Sequence, residues 1–230
     1  YAYLVPFIIS SKNNKTPLVI STFSKPLQNQ LFNKDLKNII KLIDVECRAI
    51  MLKGRNNYLC LNRLNKLESN ANELVRDFEC HDLAAVITLS SKTKAGDIEE
   101  CASFSIERRA RLWNLIKSDT QYCGKKCGKN NGCYYTDLIL KIKDSDIIIV
   151  NHALLVHDSI ENRNLLPKEH LFVIDEAHDL FKASRDLLTW SIDRGFFNDY
   201  LLDFSMLIKT ILTNKSSDQI INLSDEIEDI

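Results

Sequence analysis

The sequence predicts an α/β fold in which a parallel sheet is interrupted by a mainly helical insertion. Short apolar runs alternate with stretches of helical periodicity in residues 1–52 and 138–180, the pattern that a parallel sheet requires. Residues 61–137 show helical periodicity with little strand signal. We therefore predict one sheet domain in two pieces, an insertion at 53–137 and a helical segment at 181–230.

The first sheet segment contains four predicted elements. Ala2 to Ser10 has the character of the end of a helix, and Leu18 to Ser21 is an apolar run of the length of a short buried strand. Pro26 to Leu42 has the periodicity of an amphipathic helix, and Ala49 to Leu52 is predicted to be a second strand.

The insertion contains three stretches with helical periodicity, Leu61 to Leu67, Ala71 to Leu89 and Ile106 to Ile116. Gly96 to Glu100 begins with a turn residue and predicts a loop that caps a helix. Asp146 to Val150 then restores the strand pattern of the sheet.

The last segment is predicted to be helical. Leu180 to Leu188, Gly195 to Ile211 and Ser217 to Ile230 are each apolar on one face, and Asn214 to Asp218 is the one obvious turn.

Composition fits a folded globular chain. Hydrophobic residues make up 45% and charged residues 27% of the sequence. No apolar run approaches the roughly 20 residues that a membrane-spanning helix needs, so we expect a soluble protein with no membrane partner.

The run from Phe172 to His178 ends an apolar stretch in two adjacent carboxylates, an alanine and a histidine. Ligands of open α/β sheets bind outside the carboxyl ends of the strands, so these side chains are expected where a nucleotide would lie. The run resembles the Walker B or DEAH box of superfamily-2 helicases. That resemblance implies that Asp175 reaches Mg²⁺, that Glu176 orients the water attacking the γ-phosphate of ATP, and that His178 belongs to the catalytic set. Alternatively, the carboxylates cap the helix that follows.

Cysteines form the second motif. Cys123, Cys127 and Cys133 lie in a C-x3-C-x5-C run with three glycines, which permit tight folding around one centre, and three lysines, which offset thiolate charge. Cys60 is the best candidate for a fourth ligand. Three close cysteines with one distant cysteine is a spacing used by iron–sulfur proteins, so we predict a [4Fe–4S] cluster.

Zinc and disulfides are the competing explanations for these cysteines. Zinc sites usually take their ligands as two short-spaced pairs. An odd cysteine count, no signal peptide and a nucleotide-type motif favour a reducing cytosol over disulfides, and hence a cytoplasmic location. Cys47, Cys80 and Cys101 lie in apolar or helical patterns and are predicted to be core thiols.

Residues 105–129 carry more cationic than anionic side chains, which the net charge of −1 conceals. Cationic and aromatic residues together suit a track for single-stranded nucleic acid, and we name Arg108, Arg109 and Lys125 as candidate contacts. The alternative is a solvated helix face whose aromatic residues belong to the core. Those aromatic residues are Trp113, Tyr122, Tyr134 and Tyr135.

Together these motifs resemble the DinG branch of the iron–sulfur DNA helicases, relatives of the xeroderma pigmentosum group D type, over nearly all of residues 1–180. Their collinear order is more specific than any one motif. The similar segments are Tyr1 to Phe7 (the helix after the Walker A lysine), Leu18 to Gln30 (motif Ia), Lys53 to Cys60 (entry to the cluster domain), Asp146 to Leu155 (the returning strand) and Val173 to His178 (motif II).

The resemblance implies a partial RecA-like P-loop NTPase domain, residues 1–52 and 138–180, with an inserted iron–sulfur domain at 53–137 and the start of a helical Arch domain at 181–230. It implies part of an ATP-dependent 5′-to-3′ DNA helicase, acting in repair or replication as a monomer. Its ligands would be Mg–ATP and single-stranded and forked DNA.

Polar residues at the predicted strand ends are further candidates for contact with DNA. They are Ser21, Thr22 and Asn151. The neighbouring His152 has three possible roles: it contacts nucleic acid, it links the nucleotide site to the DNA channel, or it is a satisfied polar residue packed beneath the strand end.

The sequence also departs from the family pattern. No G-x-x-x-x-G-K-[ST] occurs, and the chain stops about 50 residues after motif II, before a second RecA-like domain with its arginine finger. We therefore expect an internal fragment that does not hydrolyse ATP at a useful rate alone, with a poorly ordered tail. Two alternatives are a non-catalytic remnant that binds single-stranded nucleic acid through a metal-stabilised fold, and a zinc-binding interaction domain with no role on DNA.

Overall fold

A computed structural model of the chain describes residues 3–123, 132–161 and 165–189, together with Leu201, Phe204 and Ile208. The chain divides into two compact units, Tyr1–Leu188 and Thr189–Ile230. The strands of the described part are β1 (Leu18–Thr22), β2 (Ala49–Met51), β3 (Ile147–Asn151) and β4 (Leu171–Ile174). Its helices are α1 (Leu4–Asn14), α2 (Lys25–Gln30), α3 (Leu36–Ile43), α4 (Leu61–Ser69), α5 (Ala71–Leu74), α6 (Cys80–Lys92), α7 (Ala110–Ile116), α8 (Tyr134–Ile142), α9 (His152–Glu161) and α10 (Leu180–Leu188).

The four strands form one parallel sheet in the order β2-β3-β1-β4. The central strands β1 and β3 are buried along almost their whole length, which explains their nearly continuous apolar sequences. The register places Ser21 of β1 between Val150 of β3 and Ile174 of β4. The predicted parallel α/β sheet is confirmed.

Helices cover both faces of this sheet. On one face, Leu18 and Ile20 of β1 pack in a core with residues of α1 and α3. On the other face, Val19 and Val150 pack in a second core with residues of α8 and α9, which we call the sheet core. Neighbouring residues of one strand face opposite cores because side chains alternate along a strand.

The helix predicted from Pro26 to Leu42 is present, with a π-helical turn inside it. Ser24 caps its start, because the Ser24 side chain accepts a hydrogen bond from the Leu27 N–H at 3.4 Å. Residues Leu31–Asp35 are π-helical, and α3 continues the same path.

The insertion has a hydrophobic core of its own, which we call the insertion core. It contains Leu64 of α4, Val86 of α6 and Leu112 of α7, all of them buried. The predicted helical character of this segment is therefore confirmed.

The single helix predicted from Ala71 to Leu89 is wrong, because the chain is broken between α5 and α6. Glu79, in that break, is buried, and its carboxylate accepts a hydrogen bond from the Arg76 N–H at 3.0 Å. The same carboxylate pairs with the Arg111 guanidinium at 2.8 Å. An ion pair between the buried Glu79 and the partly buried Arg111 thus lies at the break in a segment for which periodicity alone predicted one helix.

The chain passes between the sheet core and the insertion core near Tyr58 on the way out and near Tyr134 on the way back. On the way out, Tyr58 belongs to the sheet core and Leu59 to the insertion core. On the way back, Tyr134 packs against the insertion core and Tyr135 belongs to the sheet core. The two crossings are neighbours, since the ring centroids of Tyr58 and Tyr135 lie 5.6 Å apart.

The predicted helix from Leu180 to Leu188 is confirmed as α10. In the second unit, the three described residues are helical and fall within the helix predicted from Gly195 to Ile211. The predicted turn at Asn214 to Asp218 and the helix at Ser217 to Ile230 lie outside the described residues. Over the described part of the chain, every helix is too short or too polar to cross a membrane.

Candidate functional site

The DEAH sequence lies at the carboxyl edge of the sheet, where β4 ends. Asp175 and Glu176 form the turn, and Ala177–Asp179 make a 3₁₀ turn that leads into α10. The Asp175 N–H donates to the Ser21 carbonyl oxygen at 2.8 Å, which holds the turn against the end of β1. These acidic residues therefore stand at the sheet edge where ligands of open α/β sheets bind.

His152, the first residue of α9, is fully buried behind this turn. Its Nδ1 lies 2.7 Å from Ser21 Oγ, and its Nε2 lies 3.4 Å from the Glu176 carbonyl oxygen. A carbonyl oxygen can only accept, so Nε2 is the donor of this contact. In the tautomer that carries its proton on Nε2, Nδ1 accepts from the Ser21 hydroxyl. The interpretation of His152 as a satisfied polar residue beneath the strand end is confirmed. Its burial does not support direct contact with nucleic acid.

Glu176 has a left-handed backbone, with φ 55° and ψ 46°. Residues other than glycine avoid this region, at a cost of about 1–2 kcal/mol. Its carbonyl oxygen accepts from the Asp179 N–H at 2.9 Å as well as from His152. The side chain is 50% exposed and makes no capping hydrogen bond in the 3₁₀ turn. The alternative interpretation of Glu176 as a helix cap is therefore not supported, and its carboxylate faces solvent at the sheet edge.

Asp175 is partly buried at the same edge and contacts Tyr3, just before α1. Burial raises the pKa of the Tyr3 phenol well above its ordinary range, and the Asp175 carboxylate raises it further through its charge and the hydrogen bond that the phenol donates. A carboxylate is the type of oxygen ligand that Mg²⁺ takes in nucleotide sites, together with phosphate oxygens and water. Asp175 fits that role by its chemistry and position.

His178 lies on the surface of the 3₁₀ turn, with a side chain that is 74% exposed. Its Nδ1 is 3.4 Å from Glu176 Oε2, and its Nε2 is 3.4 Å from Asp179 Oδ2. The structure thus brings Asp175, Glu176 and His178 together at one edge. The catalytic role of His178 stays a prediction.

The three polar residues at the strand ends already have internal roles. Ser21 and Thr22 are buried, and Ser21 is bonded to His152. Asn151 accepts a hydrogen bond from the Leu154 N–H at 2.9 Å and so holds the start of α9. A direct contact of Ser21 or Thr22 with nucleic acid would require this edge to open, and the role of all three residues stays a prediction.

The basic segment of the insertion is only partly a free cationic surface. Arg109 pairs with Asp82 at 2.6 Å, whereas Arg108 is exposed. Lys125 lies outside the described residues. Arg108 is therefore the described member of this set that best fits the predicted DNA contact.

The aromatic residues of the same segment are divided between core and surface. Trp113 and Tyr135 are buried in the insertion core and the sheet core. Of the two interpretations, a nucleic-acid track and core aromatics, their burial supports core aromatics for both. Tyr122 is 52% exposed, with the Arg63 guanidinium 4.1 Å from the centre of its ring.

The four candidate ligand cysteines are not all within the described residues, because Cys127 lies outside them. Cys60 is buried at the start of α4, and Cys123 and Cys133 are partly buried on either side of residues 124–131. Where the chain is described, no three His, Cys, Asp or Glu side chains are grouped as a metal site. The assignment of these cysteines to a cluster stays a prediction.

The other three cysteines differ in burial. Cys101 is buried in the insertion core, and Cys47 packs, partly buried, against the core between the sheet and α1 and α3. Cys80 is exposed, so its prediction as a core thiol is wrong. The reason is the break before α6, which leaves Cys80 as the first residue of a helix at the surface.

A buried ion-pair network between the sheet and the insertion was missed from the sequence. Lys53, two residues after β2, is 1% exposed, and its Nζ lies 2.5 Å from Asp97 Oδ2 and 2.6 Å from Glu99 Oε2. From α2, Lys25 pairs with Glu99 at 3.3 Å and Asn29 donates to it at 3.0 Å. The signal that would have revealed this network is a lysine directly after an apolar strand, since a buried lysine is nearly always paired.

These contacts determine the pKa of Glu99. Burial raises the pKa of Glu99. Hydrogen bonds from Lys53 and Asn29 and the charges of Lys53 and Lys25 outweigh this effect and hold the pKa below its usual value. The network borders a cavity of about 530 Å³, also lined by Tyr134. Because its charges are paired with one another, the network is suited to joining the two regions.

Comparison with known proteins gives a consistent result. The model of the DEAD_2 family matches residues 25–195, well over half of the chain. The chain is 30% identical to ATP-dependent DNA helicase YoaA of Escherichia coli over 232 residues, which cover 99% of this chain and 35% of that protein. It is 32% identical to 3'-5' exonuclease DinG of Bacillus subtilis over 193 residues, or 81% of this chain and 20% of that protein. It is 30% identical to ATP-dependent helicase DinG of Mycobacterium tuberculosis over 197 residues, or 78% of this chain and 29% of that protein. The chain thus spans about a fifth to a third of these relatives.

Proposed function

The chain belongs to the DEAD_2 family, and on this premise we propose that it is the DEAH-bearing part of an ATP-dependent DNA helicase. One relative named as an ATP-dependent DNA helicase, matched over nearly the whole chain, and another named as an ATP-dependent helicase support the proposal. By resemblance to the DinG branch, the intact protein moves 5′ to 3′ along single-stranded DNA and opens forked DNA in repair or replication, in the cytoplasm.

The observation that carries this proposal is the geometry of the DEAH turn. Asp175 and Glu176 leave the sheet beside its central strand β1, and the backbone of each is bonded to a buried group, Ser21 or His152. Their carboxylates are left at the edge of the sheet, one partly buried and one exposed. Two adjacent acids with fixed backbones suit two different tasks at one bound nucleotide.

We assign those tasks by position. Asp175 would hold the Mg²⁺ of Mg–ATP, and the bound ion would neutralise charge on the phosphate oxygens. Glu176 would accept a hydrogen bond from the attacking water and so orient it toward the γ-phosphate. Tyr3 keeps the Asp175 carboxylate in place by donating its phenol proton in a hydrogen bond.

Hydrolysis also needs groups that this sequence does not contain. No phosphate-binding G-x-x-x-x-G-K-[ST] occurs in the 230 residues. We propose that the chain alone shows no DNA-stimulated ATPase activity, and that activity belongs to a longer protein that supplies the lysine and the arginine finger.

We further propose that Cys60, Cys123, Cys127 and Cys133 hold a [4Fe–4S] cluster in the insertion. Cys60 and Cys133 stand at the starts of α4 and α8, so both are placed by regular structure. The cluster would cross-link segments that are distant in sequence, and zinc bound to the same thiolates would do so too. Metal analysis separates the two.

The decisive experiment is Glu176→Gln in the intact helicase. Hydrolysis of ATP stimulated by single-stranded DNA should fall about 100-fold or more, while ATP binding persists, because the carboxylate orients water and does not hold nucleotide. Glu169→Gln, an exposed glutamate just before β4, is the matched control and should leave the rate unchanged. An intact protein without ATPase activity would favour the non-catalytic alternative, whereas activity that survives Glu176→Gln would refute the role proposed for Glu176.

A further inference from the structure

We infer that His152 is a positioning residue that fixes the backbone of the DEAH turn and thereby directs the Glu176 carboxylate. The inference rests on the role proposed for Glu176 in orienting water. It assigns a task to a buried histidine that lies outside the DEAH sequence itself.

The basis is a closed ring of hydrogen bonds. The Asp175 N–H donates to the Ser21 carbonyl oxygen at 2.8 Å, and the Ser21 hydroxyl bonds His152 Nδ1 at 2.7 Å. His152 Nε2 donates to the Glu176 carbonyl oxygen at 3.4 Å. Because Asp175 and Glu176 are consecutive, these contacts tie both peptide groups of the turn to one residue of β1.

The ring matters because Glu176 has an unfavourable backbone conformation. At φ 55° the residue lies in the left-handed region, and relaxation to an ordinary conformation would rotate its carbonyl group and move its side chain. The Asp179 N–H also holds this carbonyl, but it belongs to the same surface turn. His152 is anchored to the sheet, so of these two contacts to the Glu176 carbonyl only the contact from His152 ties that carbonyl to β1.

The position of His152 is itself determined by the sheet. It follows Asn151, the last residue of β3, which lies beside Thr22 in the strand register. β4 lies on the other side of β1. The ends of three adjacent strands therefore meet at one buried imidazole.

Two substitutions of His152 separate its contact with Ser21 from its contact with Glu176. In His152→Asn the amide occupies the place of Nδ1 and can still bond Ser21, but it does not reach Glu176. In His152→Gln the amide nitrogen occupies the place of Nε2 and can still donate to the Glu176 carbonyl. His81→Gln, at an exposed histidine of α6, is the matched control.

The test is steady-state ATP hydrolysis by the intact helicase with single-stranded DNA. We expect His152→Asn to lower kcat about tenfold or more with KM for ATP changed less than about threefold, and His152→Gln to keep kcat within about threefold of the original protein. Wild-type kcat in His152→Asn, or equal loss in both variants together with equal loss of melting temperature, would overturn the inference. If the unmodified protein shows no DNA-stimulated ATP hydrolysis, or if this hydrolysis persists in Glu176→Gln, the proposed function is refuted instead.

A second measurement does not depend on activity. In protein labelled with ¹⁵N-histidine, the NMR signals of His152 should show the proton on Nε2 and an unprotonated Nδ1. A ring protonated only on Nδ1 cannot donate to the Glu176 carbonyl and would overturn the inference in a protein of any activity.

Discussion

The carboxyl edge of the sheet and the junction between the sheet and the insertion are stabilised by different kinds of contact. At the edge, Ser21 and His152 hold the DEAH turn through hydrogen bonds to its backbone. The Glu176 carboxylate faces solvent there, and the Asp175 carboxylate is partly buried against Tyr3. At the junction, Lys53 is buried against Asp97 and Glu99, and both carboxylates are engaged. The exposed Glu176 carboxylate at the edge is thus available to a ligand, whereas Asp97 and Glu99 at the junction are already paired with lysine and join two regions of the protein.

Removing the buried charge at the junction should have the largest effect on stability. Lys53→Met would leave Asp97 buried without its partner, and we expect the free energy of unfolding to fall by about 3–5 kcal/mol in urea titrations. Lys94→Met, at an exposed lysine on the same cavity, is the control and should change it by less than about 0.5 kcal/mol. A loss below about 1 kcal/mol in Lys53→Met would show that the junction does not depend on buried charge.

A metal cluster bound by cysteines would stabilise the insertion in addition to the ion pairs of the junction. Protein purified without oxygen should contain about four irons per chain, and Cys127→Ser should lose them and loosen residues 60–137 in hydrogen exchange. Cys80→Ser should keep the iron, because Cys80 is exposed on α6 and outside the proposed ligand set. Stoichiometric zinc without iron would refute the cluster and support a zinc site.

Acid should weaken the junction through protonation of Glu99. The pKa of Glu99 is lowered from its ordinary 4.5, so its contribution to stability is fully present above pH 4.5 and is lost as pH falls through the lower pKa of the folded state. Glu99→Gln should therefore reduce the loss of unfolding free energy below that pH. Glu68→Gln, at an exposed glutamate of α4, should leave the pH profile unchanged. Identical profiles for both variants would remove Glu99 from the acid response.

The smallest effect is expected for DNA binding at the exposed face of the insertion. Arg108→Glu should weaken binding of single-stranded DNA modestly and reduce the slope of log affinity against log salt by about one, because one phosphate contact is lost. Lys66→Glu, an exposed change of the same charge on α4, is the control. If both substitutions act equally, the effect is one of overall charge, and the DNA path lies elsewhere.

Features that depend on neighbouring residues could be predicted from the sequence, whereas contacts between distant residues could not. β1, β2 and β3 lie within one residue of their predicted limits because apolar runs and turns are local signals. The DEAH residues could be placed for the same reason, since they follow such a run directly. The contact between Ser21 and His152 joins residues 131 apart and depends on β1 and β3 being neighbours, which periodicity does not specify.

Partners distant in sequence account for the predictions that were wrong. The break before α6 depends on a pair between Glu79 and Arg111, 32 residues apart, and the buried Lys53 depends on Asp97, 44 residues away. For Trp113 the sequence left a nucleic-acid track and a core position open, because basic residues surround it, and helical periodicity turns it into the insertion core. Charge composition alone did not distinguish the two faces of that helix.

Because the crossings at Tyr58 and Tyr135 lie side by side, the insertion is attached to the sheet core at one place. The chain leaves and re-enters the sheet core at rings 5.6 Å apart, so the strand order does not depend on what lies between them. A segment attached in this way can be lengthened, shortened or exchanged during evolution without rebuilding the sheet only if it keeps carboxylates in the places of Asp97 and Glu99 as partners of the buried Lys53. Tyr58 and Tyr135 are accordingly the places at which a chimaera with another insertion should be joined.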